Sequence, residues 1–131
     1  MFKINEDKSI HITRGDVAVI EMGAIFENEA LTEPEDFVFT PGDVVRFKVF
    51  EKKDCGCVVL QKDFKVTEET ATVEIILEKG DTKFGSLISK PKDYWYEVEL
   101  NPETKPQTIL GYDEDGAKVF KLYPEGDGNN A

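Results

Sequence analysis

Histidine, tryptophan and cysteine are almost missing from this chain: one, one and two copies among 131 residues. With His11 alone there is no HExxH motif, no facial triad and no histidine-based relay. Apolar runs are only a few residues long, far short of the ~20 needed to span a bilayer, so no membrane partner is expected. Bases are the minority charge. Sixteen Lys and Arg stand against 27 Asp and Glu, a formal net charge of −11. Such a surface is repelled by phosphate backbones and anionic lipid, which excludes nucleic acid as a partner. Repeats, low-complexity tracts and interior linkers are also lacking, so residues 1–124 read as one domain, followed by a flexible tail over 125–131. Residues 1–7 lack the cationic segment and apolar stretch of a signal peptide. The expectation is a protein kept in a cytoplasm unless it leaves inside a larger particle.

Alternation is what the chain has in quantity. In Tyr94-Trp95-Tyr96-Glu97-Val98-Glu99-Leu100, the tyrosines, Val98 and Leu100 share one face of a ribbon, and Glu97 and Glu99 the other. Arg14-Gly15-Asp16 and Pro41-Gly42-Asp43 each set Gly-Asp ahead of a β-branched run, as a turn entering a strand does. Strands are predicted at residues 2–5, 8–13, 16–24, 43–51, 57–66, 71–77, 93–100, 106–111 and 117–123, with one helical turn over 78–84 and a surface loop over 28–40. An Asp-Gly hairpin turn is read at 113–116. The fold expected is an all-β, immunoglobulin-like antiparallel β-sandwich of seven to nine strands. Its core would hold Ile10, Ile12, Val17, Val19, Val45, Phe47, Val49, Phe64, Val73, Ile75, Leu77, Tyr96, Val98 and Leu100.

Few residues offer chemistry. Cys55 and Cys57 flank one glycine and could supply two metal ligands, but a closed zinc site needs four and the only other soft candidate is His11. A disulfide across one glycine would be strained and a cytoplasm would keep the pair reduced, so it stands as an incidental hairpin tip, as the redox or metal site of a small metal- or ligand-binding β module, or as ligands shared between molecules. His11 points opposite to Ile10 and Ile12, so it reads as a solvent-facing strand residue. Asp113 and Asp115 do not complete a calcium loop. The acid pairs lie on an exposed face where nothing separates their pKa values. No enzyme activity and no cofactor are expected.

The order of motifs resembles a known family. Ile10 to Asp16 ends in Arg-Gly-Asp, then come Pro-Gly-Asp-Val-Val-Arg-Phe-Lys-Val, a Lys-rich return strand and Val-Glu-Ile-Ile-Leu. Tyr-Trp-Tyr-Glu-Val-Glu-Leu, Thr-Ile-Leu and Val-Phe-Lys-Leu follow. This is similar to the N-terminal domain of phage baseplate upper proteins and to immunoglobulin-like tail and fibre modules of tailed phages. The resemblance covers residues 8–123. It implies a non-catalytic structural part of a phage or prophage particle, assembled in a host cytoplasm and docked onto other virion or tail proteins. Cys55, Cys57 and the 28–40 stretch fall outside the family pattern.

Assembly is expected where charge is low. The candidates are Trp95, which is either covered by a loop or an exposed anchor, the outward residues of 44–50, and the late strand with Phe120, Leu122 and Tyr123. That late strand is read as an edge able to join a homo-oligomer or hetero-complex.

Overall fold

A computed structural model describes residues 2–5, 7–23, 25–26, 35–36, 38–53, 57–84, 89–104, 107–110 and 117–125. Among them are eleven strands and no helix: β1 (Phe2–Ile4), β2 (Ile10–Thr13), β3 (Ala18–Met22), β4 (Ile25–Phe26), β5 (Glu35–Asp36), β6 (Val44–Phe50), β7 (Val58–Lys65), β8 (Val73–Leu77), β9 (Lys92–Leu100), β10 (Gln107–Leu110) and β11 (Lys118–Tyr123). All nine predicted strand segments are present. The count is higher because two-residue β4 and β5 pair with each other beside and within the stretch read as a loop.

The fold is a sandwich of unequal layers. One sheet runs β1-β2-β11-β9-β6-β7, with β10 also on β9; the facing sheet is the β3–β8 pair. Each long strand alternates as its sequence does: β6 reads half-buried, buried, half-buried throughout, and β8 buried, exposed, buried. Between the layers lie Ile10, Ile12, Val45, Phe47, Val49, Tyr94, Tyr96, Val98, Leu100, Phe120 and Leu122 from the large sheet. Ala18, Ile20, Val73, Ile75 and Leu77 come from the small one. The rings of Phe47, Tyr96 and Phe120 sit 5.5–6.5 Å apart, and Phe84 meets Tyr94 edge-on at 4.8 Å. Burying one such side chain contributes about 1.5–3 kcal/mol.

Both Gly-Asp turns form as read. Gly15 and Gly42 take φ of +88° and +101°, a region costly to any residue with a Cβ. The Asp43 carboxylate accepts the Thr40 N–H at 2.9 Å, and the Asp16 N–H donates to the Thr13 carbonyl at 3.0 Å. Buried Thr82 pins the first turn. Its hydroxyl accepts from the Gly15 N–H and donates to the Asp16 carbonyl, each at 2.9 Å.

Several expectations are corrected. Val17 and Val19 are exposed, and Ala18 and Ile20 are buried in their place. Both phases of this strand are apolar, but Glu21 shares a face with the valines, and burying an unpaired carboxylate costs more than exposing them. Phe39, inside the stretch read as surface loop, is fully buried and bridges Thr70. Residues 78–84 turn without a helix, through Asp81 N–H to Glu78 O and Lys83 N–H to Gly80 O. β10 and β11 are not a hairpin; both pair with β9, at Val98–Leu100 and Lys92–Tyr96 respectively. The turn residues 113–116 lie outside the described set. Pairing is not purely antiparallel either, since β11 runs parallel to β2.

Candidate interaction surfaces

β11 is an interior strand, hydrogen-bonded to β2 on one side and β9 on the other. Phe120 and Leu122 have no exposure at all. The expectation of a late edge strand presenting these two side chains to a partner is therefore overturned. Strand order is a non-local property that alternation within β11 does not carry. Tyr123, on the opposite face, is half-buried, with its hydroxyl 2.9 Å from His11 Nδ1.

His11 is half-buried rather than free in solvent. Its Nε2 lies 3.1 Å from Ser9 Oγ and 3.0 Å from Asn5 Nδ2, and Ser9 Oγ donates to Asp7 at 2.6 Å. Those bonds hold the Asp7 carboxyl below its usual range. Asp7 accepts the serine hydroxyl's hydrogen bond and His11 is not interposed between them, so this chain of contacts closes the β1–β2 turn. Nearby, the Tyr96 hydroxyl donates to the Lys8 carbonyl at 2.5 Å, and burial pushes its ionisation far up.

Trp95 is half-buried on the outer face of the large sheet, in register with Phe50 on β6 and Val119 on β11. Around this apolar row the charges are mutually paired. Arg46 grips Asp63 with two bonds, at 2.8 and 3.0 Å, and reaches Glu103 at 3.0 Å. Lys48 pairs with Glu99 and with Glu97. The guanidinium of Arg46 holds the Asp63 carboxyl below its ordinary value, against the smaller opposing effect of burial. Burial works against the Lys48 ammonium, but the two glutamates outweigh it and raise its pKa.

The small sheet's outer face differs. Val17, Val19 and Ile76 are 65, 55 and 42% exposed, and Val19 is registered directly opposite Ile76. Next to that pair Glu21 stands opposite Glu74, both exposed, an arrangement of like charges that costs stability. Sequence reading missed this surface because it placed the two valines in the core. The parity of Glu21 was the available signal.

The expectation of a reduced cysteine pair is corrected: Cys57 is disulfide-bonded, a form in which its sulfur is not a thiolate ligand, and Cys55 lies outside the described residues. No cluster of three or more His, Cys, Asp or Glu suited to a metal occurs among the described residues. Nor does any described helix have the length and apolarity to cross a membrane. Glu125, where the tail was expected to begin, is held by Arg14 at 2.7 Å. One groove of about 490 Å³ lies between β7 and β8, bordered by residues 63–68, Thr70 and 72–74.

No family model, curated protein or solved structure matches this chain.

Proposed function

We propose that this protein is a non-catalytic structural component of a phage or prophage particle, a tail, baseplate or head-fibre module that acts by docking onto other particle proteins. The observation that carries the docking role is the outer face of β3–β8. It sets Val19 against Ile76 with Val17 beside them, all open to solvent, inside a rim of Glu21, Glu74 and Glu78. Exposed adjacent β-branched residues on a two-stranded ribbon lose water favourably against a complementary surface. The carboxylate rim favours a partner whose edge carries Lys or Arg.

The particle context rests on the motif order. Arg14-Gly15-Asp16 leads into β3, Pro41-Gly42-Asp43 leads into β6, and the aromatic Tyr-Trp-Tyr segment is β9. In this reading the sandwich is the immunoglobulin-like variety, and the protein is assembled into a virion in the host cytoplasm. Density-gradient fractionation of particles from producing cells tests it. The chain should sediment with particles at a fixed ratio to the other components. A Val19→Asp variant, folded by circular dichroism, should stay at the top of the gradient. A wild-type chain absent from every particle fraction would refute the reading.

A further inference from the structure

β7 is the last strand of the large sheet, and among the described residues no strand pairs with the outer side of its backbone. The Val66 N–H donates to the Asp43 carbonyl and the Val66 carbonyl accepts from Gly42, so Val66 faces the β6 side. By alternation Phe64 and Lys62 face β6 as well, while Gln61, Asp63 and Lys65 turn N–H and C=O outward. Among the described residues nothing meets these outward groups. The groove between β7 and β8 runs beside them. The edge of β8 across that groove is different, because side chains occupy it. Lys62 Nζ donates to the Ile76 carbonyl at 2.9 Å, and Thr70 Oγ1 bonds both the N–H and the C=O of Thr72.

We propose that β7 pairs with β7 of a second copy of this chain, antiparallel and centred on Phe64. This register makes Asp63 and Lys65 a hydrogen-bonding pair, which suits their outward backbone groups. It also sets each Asp63 opposite Lys65 of the partner subunit, twice by symmetry, on the outer face. Phe64 meets Phe64 of the partner subunit on the inner face, where an aromatic pair fills part of the groove. Neighbouring registers are penalised. Centring on Lys62 or Lys65 sets lysine against lysine, and centring on Asp63 sets aspartate against aspartate.

Asp63 has acceptor capacity left beyond Arg46, because a carboxylate offers about four lone-pair sites. Arg46 in turn keeps Glu103. Lys62 points inward to Asp81 and the Ile76 carbonyl, so the new pairing leaves these two polar contacts intact. Two chains of charge −11 repel at long range, so association strengthens as salt shortens the screening length from about 30 Å at 0.01 M to about 8 Å at 0.15 M.

Sedimentation equilibrium over rising protein concentration, at both salt levels, is the test. The wild type should approach twice the 14.8 kDa chain mass, more readily at the higher salt. Lys65→Glu places acid opposite Asp63 and should weaken the dimer by roughly tenfold or more. In parallel, hydrogen exchange at the Asp63 and Lys65 amides should slow with wild-type concentration, while the Phe64 amide, already bonded to β6, stays unchanged. A wild type that remains monomeric throughout overturns the proposal. So does a dimer that Lys65→Glu leaves intact, or one in which the Asp63 and Lys65 amides exchange at a concentration-independent rate.

Discussion

The sandwich has two outer faces, and they are built on opposite terms. On the large sheet the β6 cations are paired: Arg46 with Asp63 on β7 and Glu103 in the turn after β9, Lys48 with Glu97 and Glu99 on β9. The aromatic residues Phe50 and Trp95 lie in the same lattice and are half-buried by it. On the small sheet, Glu21 faces Glu74 and the apolar pair Val19–Ile76 is left in water. Neither arrangement is needed to build the core, which both sheets fill from their inner faces. The difference shows that alternation settles which side chains face in, and leaves the outward side to other demands. One outward face pairs its charges internally; the other leaves apolar side chains and like charges open to solvent.

The interior that both faces share gives the largest expected effect. Phe120→Ala removes a fully buried ring packed edge-on against Phe47 and Tyr96, and should cost about 3–5 kcal/mol in urea unfolding. A loss under about 1 kcal/mol would mean that β11 lies at an edge after all. Next comes the tie between the layers. Lys62 Nζ lies 2.6 Å from Asp81 and 2.9 Å from the Ile76 carbonyl, with both side chains about one-fifth exposed. Lys62→Ala should cost about 1–2 kcal/mol, at the lower end of charged hydrogen bonds because solvent screens the pair.

Acid sharpens the same contrast. Burial raises the Asp81 pKa, but Lys62 and the Glu78 N–H outweigh it, and the net shift is downward; Asp63 is lowered chiefly by Arg46. A carboxyl whose folded pKa is depressed adds stability that is complete above its unfolded value and lost as pH falls through the folded one. Unfolding free energy should therefore hold steady at neutral pH and decline below the ordinary aspartate value of 3.8. Asp81→Asn should lessen that decline, and an unchanged acid limb would remove Asp81 from the account.

How much of this was legible beforehand follows from locality. β6, β8 and residues 94–100 of β9 carry their charged residues on one phase only, so their inward faces could be read directly from Val45, Phe47, Val49, Val73, Ile75, Leu77, Tyr96, Val98 and Leu100. β3 carries apolar residues on both phases, and the reading chose the wrong one. Phe39 is buried through a single bridge to Thr70, with no periodic neighbours to announce it. The position of β11 between β2 and β9 depends on a pairing with β2 across more than a hundred residues as well as one with β9, and no pattern inside Val119 to Tyr123 encodes it. The small-sheet surface was missed for the β3 reason, and the β7 edge for the β11 reason.

The smallest expected effects fall on the small sheet itself. Glu21→Lys turns a like-charged pair into an opposite-charged one and should stabilise the fold by about 0.2–1 kcal/mol. Its thermal midpoint should rise, and a fall would mean that the Glu21–Glu74 repulsion is relieved in some other way. Val19→Thr should change stability by no more than about 0.5 kcal/mol, as surface substitutions do, whereas the same change at buried Val45 should cost clearly more.

Solvent access to individual methyl groups tests the claim on which the comparison stands. With methyl-labelled protein and a neutral, soluble paramagnetic reagent, the signals of Val17, Val19 and Ile76 should broaden strongly. Those of Ile10, Val45, Val49 and Ile75 should persist. Val19 and Ile76 methyls as protected as Val45, with Ala18 and Ile20 broadened instead, would contradict the account: β3 would then be turned over and the small sheet would present no apolar face.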